Sequence, residues 1–147
     1  MVGIRGFEPD PDNPGWLFRP QSDFGLFIDY IGEMRVRVID RDHSVLRVMP
    51  QRRHMNFIES VHGGFIMCLV DQALFAGPVV AGVPGMAGGI TIDASVQFVG
   101  ALREGVPIDI NVEILRETRK MVFVRGLMDQ DGQTSVSFSA TVKKARE

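Results

Sequence analysis

Three features of the sequence could do chemistry together. Asn56 stands six residues before His62, His62-Gly63-Gly64 opens an apolar run, and Asp71 is the only charged residue inside that run. The first backbone N–H groups of a helix lack internal partners, and the helix dipole adds positive potential there. Glycines let a reacting group approach that backbone closely. Such a place suits an oxygen that gains negative charge, as a carbonyl does under attack. The run from Phe65 to Ala76 has no polar face apart from Asp71-Gln72, so Asp71 is expected to be buried, where the charged form is disfavoured. A carboxylate held this way can serve as a general base toward water or as a nucleophile.

The spacing restricts how these groups combine. His62 and Asp71 are nine residues apart, which is about 13 Å along a helix axis. At about 100° per residue, nine steps turn the helix by about half a circle. The two side chains therefore point to opposite sides and cannot share one substrate within a chain. Two chains related by a two-fold axis, with antiparallel helices, would bring His62 of one to Asp71 of the other.

The elements that must hold these groups read as follows. Residues 1–21 form an extended, Pro-rich arm that Trp16, Leu17 and Phe18 pin to the body, and residues 22–147 form one domain. Ser22 to Tyr30 reads as a short amphipathic helix capped by Ser22, with Phe24, Phe27 and Ile28 on one face. Met34, Val36 and Val38 alternate with arginines as a strand, and Val45 to Met49 reads as another. The apolar run is a helix that must be surrounded by protein, with Gly77-Pro78 ending or kinking it. Beyond a Gly-rich loop the period changes to two, over 90–98, 108–114, 121–128 and 136–142. Asp129-Gln130-Asp131-Gly132 is a hairpin turn. The class is α+β: an antiparallel sheet of about six strands wrapped around one long helix. One helix on one sheet leaves its far side bare, so a second subunit is expected to cover it.

Composition excludes several function classes. The 147 residues carry 16 basic and 18 acidic side chains, a net charge of −2. A duplex-wrapping or membrane-coating protein is usually strongly basic, so neither nucleic acid nor membrane is expected as a partner. Asp71 in mid-helix also argues against a membrane span. A lone cysteine, Cys68, allows no internal disulfide and, with no export signal at the N-terminus, suggests the cytoplasm. No His/Asp/Glu cluster has ligand spacing, so no metal or other cofactor is expected. His43 and His54 read as surface residues.

Asn56, His62-Gly63-Gly64 and Leu69-Val70-Asp71-Gln72-Ala73 resemble the hotdog-fold acyl-CoA thioesterases, in the phenylacetic-acid-degradation and thioesterase-superfamily-member branch. The resemblance runs from about residue 23 to 144 and includes the order of elements. It implies a homodimer, often paired into a tetramer, with sites at the dimer interface and acyl-CoA as substrate. By position, Asp71 is the carboxylate that activates water and the Gly63 N–H polarises the thioester carbonyl. Asn56 and His62 position substrate, water and backbone, and Thr91 falls where a Ser or Thr lies near the water. Gly64 and Arg119 are expected to bind substrate, Arg119 as the first choice among Arg103, Arg116, Lys120, Lys143 and Lys144 for the CoA phosphates. Three positions depart from the pattern. Glu59 replaces a common Gly, Gly100-Ala101-Leu102 replaces a Ser-Pro-Ala run, and Thr118-Arg119 replaces a Gly-Arg or Gly-Lys turn.

The reading is hydrolysis of an acyl-CoA to free acid and CoA. The alternatives are a non-catalytic acyl-CoA-binding or regulatory hotdog domain and a hotdog hydratase or dehydratase, which the motif fits poorly. Met55, Phe65, Met67 and Phe75 either line an acyl pocket or simply fill the core.

Overall fold

A computed structural model describes residues 6–146. Eight strands form one antiparallel sheet: β1 (Glu8–Pro9), β2 (Leu17–Arg19), β3 (Met34–Val38), β4 (His43–Val48), β5 (Ile90–Phe98), β6 (Ile108–Glu117), β7 (Met121–Gln130) and β8 (Gln133–Lys143). Their order across the sheet is β1-β2-β3-β4-β6-β7-β8-β5. A short helix, α1 (Ile28–Ile31), precedes β3, and the long helix α2 (Gly63–Val80) lies between β4 and β5.

The sheet has two strands more than the sequence pattern suggests, because the N-terminal arm contributes β1 and β2. Neither is long enough to show alternation. Their places are set by side chains on the outer face of the sheet. The Trp16 ring lies between the Arg37 and Arg47 guanidinium groups, at 5.0 and 4.7 Å, and Phe18 lies under Arg35 at 4.5 Å. Asp10, on the same arm, accepts from Arg35 Nε at 2.8 Å. The arm's first five residues lie outside the described part.

The alternation in β6 and β7 is a burial pattern. Ile108, Ile110, Val112 and Ile114, with Val122, Val124 and Met128, point into the core. They meet Phe65, Ile66, Leu69, Val70, Ala73 and Leu74 of α2. Each fully buried side chain of this kind contributes about 1.5–3 kcal/mol against exposure. The β7–β8 hairpin turns at Asp131-Gly132, both with positive φ, between the paired Gln130 and Gln133.

Three expectations about the helices meet the structure differently. First, the far side of α2 is bare in the single chain, as expected of one helix on one sheet. Gly64, Met67 and Asp71 are exposed in the single chain, because the sheet reaches only the opposite face. Second, α2 runs through Gly77-Pro78 to Val80. A Cβ on Gly77 would lie 1.8 Å from Ser44 Oγ, so this glycine lets α2 pack directly on β4. Pro78 sits in the last turn and, having no N–H, leaves the Leu74 carbonyl without its i+4 donor. Third, the segment from Ser22 is a loop until Ile28, with Phe24 and Phe27 exposed. The Ser22 hydroxyl donates to Asp29, which also accepts the Phe24 and Leu26 N–H groups, so Asp29 organises the loop in place of a Ser22 helix cap.

Candidate active site

Asp71 lies midway along α2, on the face the sheet leaves open. Its partner comes from β5. Thr91 Oγ1 donates to Asp71 Oδ1 at 2.7 Å. The register of β5 against β8 shifts between Thr91 and Asp93, a bulge that turns this end of the strand. Asp71 is exposed in the single protomer, so the described residues do not supply the desolvation expected of it.

The N-terminus of α2 is the second part of the site. His62 caps the helix, its Nδ1 accepting the Gly64 N–H at 2.9 Å. That ring nitrogen is therefore unprotonated. The Gly64 N–H is satisfied inside the chain, and among the described residues the Gly63 N–H has no acceptor. Gly63 also stands against the end of β5: a Cβ built on it would lie 3.8 Å from the Phe98 ring. Sequence reasoning missed Phe98, which looks like an ordinary alternating strand residue.

Asn56 works within its own loop. Its Oδ1 accepts the Ile58 and Ser60 N–H groups at 3.0 and 3.1 Å, and its Nδ2 donates to Ser60 Oγ at 2.9 Å. The loop it folds leads into His62, whose N–H donates to the His54 carbonyl at 2.8 Å. Glu59, in this loop, has φ of +61°, which explains why a Gly suits the position. Arg52 pairs with the Glu59 carboxylate.

Arg119 lines a cavity of about 640 Å³ with Lys120, Lys143, Lys144 and Arg146, beside Pro84-Gly85. Lys144 is committed to Glu117. Arg146 was not foreseen. Arg103 lies elsewhere and pairs with Asp131 at 2.7 Å. Because Ile90 pairs with Lys143 and Thr91 with Val142, this cavity adjoins the Asp71–Thr91 end of β5.

The structure thus joins Asp71 to Thr91 and His62 to Gly64, and it keeps the two groups apart. Gly63 sits by Phe98 and Asp71 by Thr91, at opposite ends of β5. Of the other expected surface residues, His43 is exposed, but His54 is buried at 1% exposure. Burial, followed by the nearby Asp71 charge, pushes the Cys68 thiol up to about 11, so it stays protonated at neutral pH.

An antiparallel sheet wrapped on one long helix, with a glycine-opened helix N-terminus and a mid-helix carboxylate, is a hotdog-fold domain. The family described as the acyl-CoA thioesterase N-terminal domain matches residues 51–143. The chain belongs to this acyl-CoA thioesterase family. Among solved structures, a mutant of the phenylacetic acid degradation protein PaaI from Thermus thermophilus is similar, with 18% identity and TM-score 0.67, over 81% of this chain and 98% of that one. Thioesterase superfamily member 2 from Mus musculus is 18% identical with TM-score 0.62, over 74% and 80%. A hypothetical thioesterase from Streptococcus pneumoniae, solved with coenzyme A, is 17% identical with TM-score 0.69, over 88% and 97%. These likenesses show the fold. A search of curated proteins found no match.

Proposed function

We propose that the protein hydrolyses an acyl-CoA thioester to the free acid and CoA, at sites shared between two protomers. Asp71 takes a proton from water, and the water oxygen bonds to the thioester carbon. The carbonyl oxygen takes up the charge and receives the Gly63 N–H of the partner. The carbon–sulfur bond then breaks, and the sulfur leaves as a thiol with the proton returned from Asp71. Thr91 holds one carboxylate oxygen and leaves the other for water. His62 and Asn56 act through the backbone they shape, keeping the Gly63 N–H unpartnered and Gly64 open to substrate. Arg119 and its basic neighbours suit the CoA phosphates. That a protein of this fold has been solved with coenzyme A supports the choice of ligand.

The observation that carries this reading is the Thr91–Asp71 hydrogen bond on an otherwise apolar, open helix face. A polar pair there has no packing purpose. Sharing between protomers is supported by the distance from Asp71 to Gly63 and by the free β5 edge alongside them, where Ile90, Ile92 and Phe98 are half exposed. A second copy docking on this face would cover both.

The test is direct. The purified protein is mixed with a panel of acyl-CoAs and a thiol reagent, and catalytic release of free CoA is expected for at least one. Binding without any release would instead assign a non-catalytic acyl-CoA-binding domain.

A further inference from the structure

His54 enters no step of the proposed reaction, yet among the described residues it is the most deeply buried polar side chain. Every part of its ring is engaged. Phe65, in the first turn of α2, stacks on it with centroids 3.7 Å apart and planes 5° from parallel. Tyr30 of α1 meets it edge-on at 5.4 Å. Nδ1 accepts the Gln51 N–H at 2.9 Å, so the ring's proton is on Nε2, which donates to the Tyr30 carbonyl at 2.7 Å. Arg53 Nε, 3.4 Å from the same nitrogen, is too far to compete for it. Burial pushes the His54 pKa below its ordinary value, so the ring stays neutral. An apolar ring could fill the same space. What the imidazole adds is direction, because two hydrogen bonds from one rigid ring allow it a single orientation.

What the ring holds still is the start of α2. The His54 carbonyl accepts the His62 N–H at 2.8 Å. Phe65, three residues beyond His62, rests on the His54 ring. Gly63 and Gly64 lie between these two points and have no side chains of their own to fix them. The Gly64 N–H is held by His62 Nδ1 at 2.9 Å. The Gly63 N–H has no such partner, so its aim depends on the His62–Gly63 peptide, which His54 grips by its carbonyl on one side and its ring on the other.

We infer that His54 is the positioning residue for the Gly63 N–H, fixing its aim through the His62 N–H before it and the Phe65 ring after it. The inference rests on the proposed thioester reading, in which that N–H receives the carbonyl oxygen. A donor aimed at developing charge acts mainly in the transition state. Slackening it therefore lowers kcat. It leaves CoA binding intact, since in that reading the basic cavity at the Thr91 end of β5 holds the CoA phosphates.

His54→Gln keeps a donor for the Tyr30 carbonyl, and His54→Asn keeps an acceptor for the Gln51 N–H, so the two variants weaken the grip in different ways. Turnover is measured on an acyl-CoA that the wild type hydrolyses, per mole of CoA-binding sites counted by calorimetry. For each variant kcat should fall about tenfold to a hundredfold, as misplacement of a catalytic donor does. The Kd for CoA should stay within about twofold of wild type. Hydrogen exchange at the His62 amide should quicken at least about tenfold, while the amides of the β6–β7 hairpin change by a smaller common factor. In the wild type the His62 amide should be protected like that hairpin, a measurement that needs no variant. An open-loop exchange rate there, an unaltered kcat, a kcat that falls together with CoA affinity, or a kcat loss with the His62 amide still protected overturns the inference and leaves the thioester reading standing. If the wild type releases no CoA from any thioester, that reading falls, and the inference with it.

Discussion

Asp71 has two carboxylate oxygens, and Thr91 occupies one of them at 2.7 Å. The consequences of removing each partner differ in size. Asp71→Asn keeps the shape but cannot accept a proton, so kcat should fall about a hundredfold or more. Thr91→Ala removes one hydrogen bond to the base and should raise the barrier by about 0.5–1.5 kcal/mol. Steady-state kinetics of both variants checks the ranking, and a Thr91→Ala loss as deep as that of Asp71→Asn would move the main chemistry to the hydroxyl. Glu59 is a different kind of residue-scale case. It holds a left-handed conformation that costs any residue with a Cβ. Glu59→Gly releases that strain while losing an ion pair exposed on the surface, which is worth little. Its melting temperature should rise by about 2–4 °C in a thermal scan, and an unchanged or lower value would mean that the Arg52 pairing outweighs the strain.

At the scale of elements, two packings decide whether the site exists. Gly77 lets α2 settle on β4 with only the Ser44 side chain between them. Gly77→Ala would place a Cβ 1.8 Å from Ser44 Oγ and 2.4 Å from Ser44 Cβ. The overpacking should cost about 1–3 kcal/mol or more in denaturant unfolding. Ser44→Gly removes both clashing atoms, so the double variant should recover part of the loss, and a simple sum of the two losses would refute the contact. The second packing joins the turn at Arg52–His54 to α1 and α2 through the His54 ring. Because burial lowers its folded pKa below the ordinary value of 6.5, the unfolded chain binds more protons as pH falls. Its contribution is complete above about pH 6.5 and is lost as pH drops from there toward the folded pKa. Unfolding free energy measured from pH 7.5 to 5 should therefore decline, and His54→Gln should flatten that part of the curve whatever its overall stability. These packings also show what the sequence made legible. The four long strands, the hairpin at Asp131-Gly132 and α2 announce themselves through period and turn chemistry. So do Asp71 and the His62-Gly63-Gly64 opening, as the one charge and the one glycine pair in an apolar stretch. The placement of β1 and β2 depends on rings meeting arginines across the sheet, and the burial of His54 depends on Phe65 and Tyr30. No local pattern encodes such long-range contacts. Gly77 likewise reads as a helix stop until Ser44 is seen beneath it.

At the scale of the whole molecule, the question is whether one chain can be active. Asp71 with Thr91 and Gly63 with Phe98 occupy opposite ends of β5, so in the proposed reading each chain carries two incomplete halves. The two-fold dimer proposed above would complete both at once, because the same face of each protomer would meet its partner. Complementation tests this. Asp71→Ala lacks the carboxylate, and Gly63→Pro lacks the carbonyl-polarising N–H, since proline has none. Each refolded alone should be inactive, and each must be shown to fold and assemble, because proline at the start of α2 can disturb more than one N–H. Unfolded and refolded together, the chains exchange. About half the dimers are then mixed, each with one doubly damaged site and one intact site, so about a quarter of wild-type activity should return if sites act independently. Mass measurement on tagged chains confirms that exchange took place. If exchanged dimers stay inactive, the two halves do not meet across an interface. Asp71 and Gly63 would then need another route to one substrate, and the nine-residue interval between His62 and Asp71 would lose its explanation.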